Sequence, residues 1–187
     1  MQQQQRSILD EMKHQFKSGN LMKLIFINVI VFLVINIIGV VARLSGGNTQ
    51  LLLDEFVFNT FTIQIPWKEF ITHPWGLLIS FFSHQGFIHL LFNMLILYSF
   101  GRIFTQFLSQ KRLLYTYMLG GIFGGLFELG SQIFPTIATT SAIGASGAVM
   151  AVIIAIAVHK PRIELNLFGT FKVQLYIIAG IIFILDF

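Results

Sequence analysis

Residues 143–160 read IGASGAVMAVIIAIAVHK. From Ser146 to the basic Lys160 this run covers only about 21 Å as an α-helix. A hydrocarbon core is roughly 30 Å thick. If Lys160 and Arg162 hold the inner end at the membrane surface, the other end starts roughly 10 Å below the opposite face. Irregular backbone at that depth is tolerated only where it is buried in protein or lines a watery recess. The stretch therefore predicts a polytopic membrane bundle with a recess beside Ser146.

The rest of the chain agrees. Of 187 residues, 55% are hydrophobic and only 11% charged, far from an average soluble composition. Apolar runs recur at Leu21–Val41, Phe87–Phe107, Leu113–Phe134, Ile143–Val158 and Val173–Phe187, which predicts five helices of an all-α membrane bundle. With the N-terminus cytoplasmic, ten of the twelve basic residues fall inside and only Arg43 and Lys68 outside. The net charge of +4 is thus explained by topology, with a lipid bilayer as partner and no nucleic acid. Met1–Asn20 form a polar lead ahead of a membrane domain at 21–187. The first apolar run is longer than a signal-peptide core and lacks a cleavage site, so it is expected to be retained. With no organellar targeting segment before it, the expected host is a bacterial inner membrane. The absence of cysteine excludes thiol catalysis and disulfides.

Between the first two spans, Leu44 to His84 mixes Asp54, Glu55 and Glu69 with Phe56, Phe58, Phe61, Trp67, Phe70 and Trp75. Such a segment is expected either to lie at the membrane interface, where aromatic rings are favoured, or to be an ordinary packed loop. Gly120, Gly121, Gly124 and Gly125 form two overlapping small-residue pairs that let another helix approach closely.

Polar groups that lipid penalises are the candidates for chemistry. His89 and Asn93 lie four apart on one helical face, and Asn93 falls at about the depth of Ser146. In an acyl-transfer reading Ser146 attacks a peptide carbonyl, while His89, Asn93 and the Ser146 N–H stabilise the developing oxyanion. Taken singly, each of these residues is equally able to serve helix packing. A soluble nucleophile elbow does not fit, because Ala148 stands at its last glycine and no strand precedes the motif. Glu128, an ionisable group within the third span, has a structural or a functional role.

The block from Pro74-Trp75 through Ser80-Phe81-Phe82, then His84-Gln85-Gly86-Phe87-Ile88-His89-Leu90-Leu91-Phe92-Asn93-Met94, followed by GASGA at 144–148, resembles the rhomboid family of intramembrane serine proteases over about Leu21 to Phe187. The resemblance implies Ser146 as nucleophile, His89 and Asn93 as oxyanion partners, and His84, Gly144 and Gly147 as structural residues near the site. It implies transmembrane proteins as substrates, with no metal and no cofactor.

Two departures stand out. The family's Gly-x-x-x-Glu reads Gly101-Arg102-Ile103-Phe104-Thr105 here, so a supporting ion pair is expected to be missing. The family's general base lies on a sixth helix, and five of the usual six are expected here, so the 187 residues read as an inactive fragment of a Ser-His protease. His159 cannot replace that base, being about 20 Å from Ser146 on the same helix. His73 and His84 are poor substitutes, and no lysine lies in the outer half of a span. Two other readings are a proteolytically silent rhomboid-like protein that binds client helices, and a small transporter. The lack of an internal repeat speaks against the second.

Overall fold

The computed structural model describes residues 19–65, 67–131, 141–167 and 171–186. The polar lead, residues 1–18, lies outside them. Among the described residues, three helices are long and apolar enough to cross a membrane: α1 (Asn20–Ser45), α5 (Phe87–Phe107) and α6 (Gln110–Gly130). A shorter apolar helix, α7 (Ser146–His159), packs against α5 and α6, and α8 (Leu175–Asp186) packs against α7. Between α1 and α5 run α2 (Gly47–Phe61), strand β1 (Ile63–Gln64), α3 (Trp67–Thr72), α4 (Gly76–Ile79) and a 3-10 turn at Ser80–Phe82.

The expected second span coincides with α5, and the first differs from α1 by a few residues. The third starts three residues earlier than expected, at Gln110, because Ser109 caps it by accepting a hydrogen bond from the Arg112 N–H at 3.2 Å. Its expected end at Phe134 lies beyond the described residues. The fourth is shorter than expected. Its helix begins at Ser146, because Ser141–Ala142 form strand β2, paired antiparallel with β1 through Ile63↔Ala142 and Gln64↔Ser141. The fifth also loses its start, since Val173 belongs to β4 (Phe171–Gln174), which pairs with β3 (Glu164–Leu167) in a hairpin. Among the described residues the all-α reading thus gains two small two-stranded sheets.

In lipid there is little hydrophobic drive between helices, so close packing and internal hydrogen bonds hold the bundle. The glycines of α6 supply the packing in two directions. Gly120 and Gly124 meet Gly147, Ala148 and Ala151 of α7, whereas Gly121 abuts the Phe81 ring and Gly125 faces Ile63 and Leu77. The two small-residue pairs therefore serve different neighbours. The outer faces remain apolar, as at Leu44, Phe123 and Val158, which suits a lipid surround. At the opposite end from Arg43, Asn20 donates to the Gln110 carbonyl at 2.9 Å, joining α1 to α6.

One buried hydrogen-bond cluster links three elements. The Tyr117 hydroxyl of α6 donates to the Phe81 carbonyl at 2.9 Å and accepts from Asn28 Nδ2 of α1 at 3.0 Å, and that Nδ2 also donates to the Leu24 carbonyl. Both side chains are fully buried. The helices α1 and α6 are thus tied to the turn that precedes the candidate site.

Among the described residues between Leu44 and His84, helices α2, α3 and α4 expose large apolar side chains beside charged ones such as Asp54 and Glu69. None of the residues of α2 is buried, and Leu51, Leu52, Phe56 and Phe58 are exposed. Its far end is anchored where Gly76 presses against the Thr62 carbonyl, a place with no room for a Cβ.

Candidate active site

Ser146 is the first residue of α7, and the chain leading to it is held at three points. The β1–β2 pairing fixes Ser141 and Ala142. Gly144 donates its N–H to the Ser80 carbonyl at 3.0 Å. Its φ of +132° is a conformation that side chains disfavour, and Ala145 follows at φ −82°, ψ 0°. This bend turns an extended strand directly into a helix, so the serine side chain sits at the helix start, half-buried. The N–H groups of the first turn have no acceptor within the helix and are suited to developing negative charge.

His89 lies in the first turn of α5 and faces this bend. A Cβ on Gly144 would come within 2.9 Å of His89 Cε1 and 3.4 Å of Nε2, so the absence of a side chain at Gly144 is what lets the imidazole approach. The ring also meets His84 edge-on, with centroids 5.2 Å apart and planes at 72°. Asn93, one turn along α5, is buried and donates from Nδ2 to the His89 carbonyl at 3.1 Å. One amide hydrogen and the Oδ1 of Asn93 remain for other partners.

His84 is fully buried, and neither ring nitrogen has a hydrogen-bond partner among the described residues. Burial above all, then the neighbouring His89, hold its pKa down to about 4. The Phe82 backbone, close but outside hydrogen-bonding geometry, pulls weakly the other way. His84 is therefore a neutral ring at neutral pH.

On its other flank Ser146 opens to a cavity of about 570 Å³ between α6 and α7, lined also by Ser80, Gly144, Gly147, Phe127 and Glu128. His89 and Asn93 are not among the residues that line it. Glu128 is half-buried at the cavity wall, and its carbonyl accepts from Ser131 Oγ at 2.6 Å. Gly147 touches the α6 backbone, with a built Cβ lying 3.5 Å from the Gly124 Cα.

The remaining residues singled out from the sequence lie elsewhere. His73 is half-buried against Thr72 and Trp75, 2.9 Å from the Thr72 hydroxyl. His159 ends α7, about 20 Å from Ser146. Arg102, in the divergent Gly101–Thr105 stretch, stacks on the Tyr98 ring and donates to its hydroxyl at 3.3 Å, and Gly101 admits Leu21. Among the described residues, no three His, Asp or Glu side chains converge as metal ligands. The sequence reading missed Tyr117, Asn28 and the Ser80 carbonyl. The first two carried a signal, a polar group inside an apolar span, whereas a carbonyl has none.

Comparison with known proteins bears on the same region. The profile of the Rhomboid domain matches residues 72–187. The chain is 34% identical over 102 residues to "Rhomboid protein 1, mitochondrial" of Saccharomyces cerevisiae, which covers 54% of this chain and 30% of that protein. It is 29% identical over 93 residues to "Presenilin-associated rhomboid-like protein A, mitochondrial" of Danio rerio, covering 49% of this chain and 24% of the relative. The matches thus span less than a third of either relative. With the profile covering well over half of its length and a helical membrane bundle as its fold, the chain belongs to the rhomboid family.

Proposed function

We propose that this chain carries the nucleophile and the oxyanion-binding half of an intramembrane serine endopeptidase that cleaves transmembrane segments of other proteins. The observation that supports this most is the bend at Gly144, which leaves Ser146 at a helix start with the His89 imidazole against the same bend. Ser146 Oγ attacks the scissile carbonyl, its proton passing to a histidine base. The carbonyl oxygen, now negative, is met by the Ser146 N–H, His89 and Asn93. The amine then leaves with that proton, and water hydrolyses the acyl-enzyme. His84, Gly144 and Gly147 act on the backbone and on His89, not on the substrate.

No histidine among the described residues suits the base. His159 is too distant and His73 is held half-buried against Thr72 and Trp75 on the loop after α3, while buried His84 is weakly basic. The base proposed is a histidine outside these 187 residues, on a further helix. Residues 1–20 form a lead and 21–187 the membrane domain, with the N-terminus on the side bearing most Lys and Arg. The bacterial inner membrane suits this charge pattern, and so does the mitochondrial setting in the names of the two relatives. Sidedness, not the choice between them, is what we propose.

The test is cleavage of a transmembrane reporter in vesicles by the chain expressed with the coding sequence that continues past Phe187. Ser146→Ala is expected to abolish product, and His89→Ala or Asn93→Ala to lower turnover by about 10²–10³-fold, the value of one oxyanion donor. Cleavage that persists in Ser146→Ala refutes the protease. Stable co-purification of uncleaved reporter by both forms identifies a client-binding protein instead.

A further inference from the structure

A second cavity, of about 220 Å³, lies away from Ser146, between α1, α2 and the residue before Gly86. Its lining includes Asn36, Gly39, Arg43, Asp54 and Gln85. That volume equals about seven liquid waters, enough for a polar headgroup. Gly39 keeps the floor open, with no heavy atom within 4 Å of a built Cβ. Along α1, Asn36 and Arg43 stand about 24 and 35 Å from Asn20, so the cavity straddles the far boundary of a roughly 30 Å hydrocarbon core. On the same two helices Ile37, Val41, Leu51 and Phe56 are exposed and apolar.

The charges give the ligand class. Arg43 and Asp54 line one cavity, yet make no ion pair or hydrogen bond among the described residues. An anionic headgroup would satisfy the guanidinium but be repelled by the carboxylate. A headgroup with phosphate and ammonium together matches both, and its acyl chains fit the apolar faces of α1 and α2. Neighbouring Asn36 has its Nδ2 engaged by the Phe32 carbonyl at 2.8 Å, which leaves its Oδ1 as a further acceptor for an ammonium.

We propose that this cavity is a binding site for a zwitterionic phospholipid, with Arg43 on the phosphate and Asp54 on the amine. The site is independent of the protease reading and pins α2 to the membrane surface beside α1.

The test uses the full 187-residue chain in mild detergent. Retention of phosphatidylethanolamine and phosphatidylglycerol with identical acyl chains is measured by native mass spectrometry. The ethanolamine lipid is expected to bind at least about fivefold more tightly. Arg43→Gln weakens it by about tenfold or more, as expected for loss of a charged hydrogen bond. Asp54→Asn removes the preference between the two lipids, and the exchange Arg43→Asp with Asp54→Arg restores it. Equal retention of both lipids by the unaltered chain overturns the proposal, as does a preference unchanged in Asp54→Asn. Free phosphoethanolamine that displaces the lipid at equal concentration also overturns it, by showing a site for a soluble zwitterion. If a single variant fails to fold, the unaltered chain's preference and the double exchange still decide.

Discussion

Gly144→Ala puts the bend before Ser146 under direct strain. At φ +132° an alanine incurs a backbone penalty of about 1–3 kcal/mol. The new Cβ would also stand 2.9 Å from His89 Cε1, so the ring must yield by roughly half an ångström to reach ordinary contact. His89 is exposed and can swing aside, so the loss of stability comes mainly from the backbone, whereas the displaced ring is what harms function. A domain of this size loses about 2–4 °C of Tm per kcal/mol, giving a fall of roughly 2–12 °C. Misplacing a group at a reacting centre by such distances costs up to about 10²-fold in kcat/KM. The assay pairs thermal unfolding in detergent with reporter cleavage by the chain extended past Phe187. Gly147→Ala is the control: Gly147 is helical and its Cβ meets the Gly124 Cα at an ordinary 3.5 Å, so Tm should hold or rise, by up to about 1 kcal/mol of stability. If Gly144→Ala unfolds at the wild-type temperature and cleaves normally, the bend is not what positions this site.

Two further outcomes are expected. Tyr117→Phe strips the hydroxyl between Asn28 and the Phe81 carbonyl and should cost about 1–3 kcal/mol in detergent unfolding, with non-additivity against Asn28→Ala; strict additivity would show that the two side chains act separately. His84 is neutral when folded, with a pKa of about 4 against 6.5 when unfolded, so the unfolded chain binds the extra proton between those values. Stability should be complete above pH 6.5 and fall as pH drops toward 4, by on the order of 3 kcal/mol at most, and His84→Gln should flatten that slope; a pH-independent unfolding curve in the unaltered protein would contradict the neutral buried ring.

Much of the architecture was legible because lipid imposes strict rules on a chain. Every backbone group must be satisfied within a helix, so apolar length alone located α1, α5 and the core of α6. The same rule made a short run ending at Lys160 informative, since a helix that cannot reach both faces must begin inside the protein. Polar residues in such surroundings stand out, which is why Ser146, His89 and Asn93 could be named from the sequence. The start of α7 was misjudged because Ile143 to Ala145 are as apolar as the helix itself, and nothing local tells strand from helix over so few residues.

Tertiary structure decided the rest. The pairing of Ile63 with Ala142 joins residues some eighty apart and sets where the helix begins. The two glycine pairs of α6 were identical as motifs, yet one meets α7 and the other the loop side chains Phe81, Ile63 and Leu77, a choice made by helix rotation. The sequence set His89 apart from His84, but only packing shows that His84 is buried and that the His89 ring lies against Gly144. Sequence alone determined that this protein is built of membrane-spanning helices and which polar residues interrupt its apolar runs, because the bilayer acts on each segment separately. Which of those residues meet was settled only by contacts between distant segments, because close packing depends on rotation and register that no single stretch encodes.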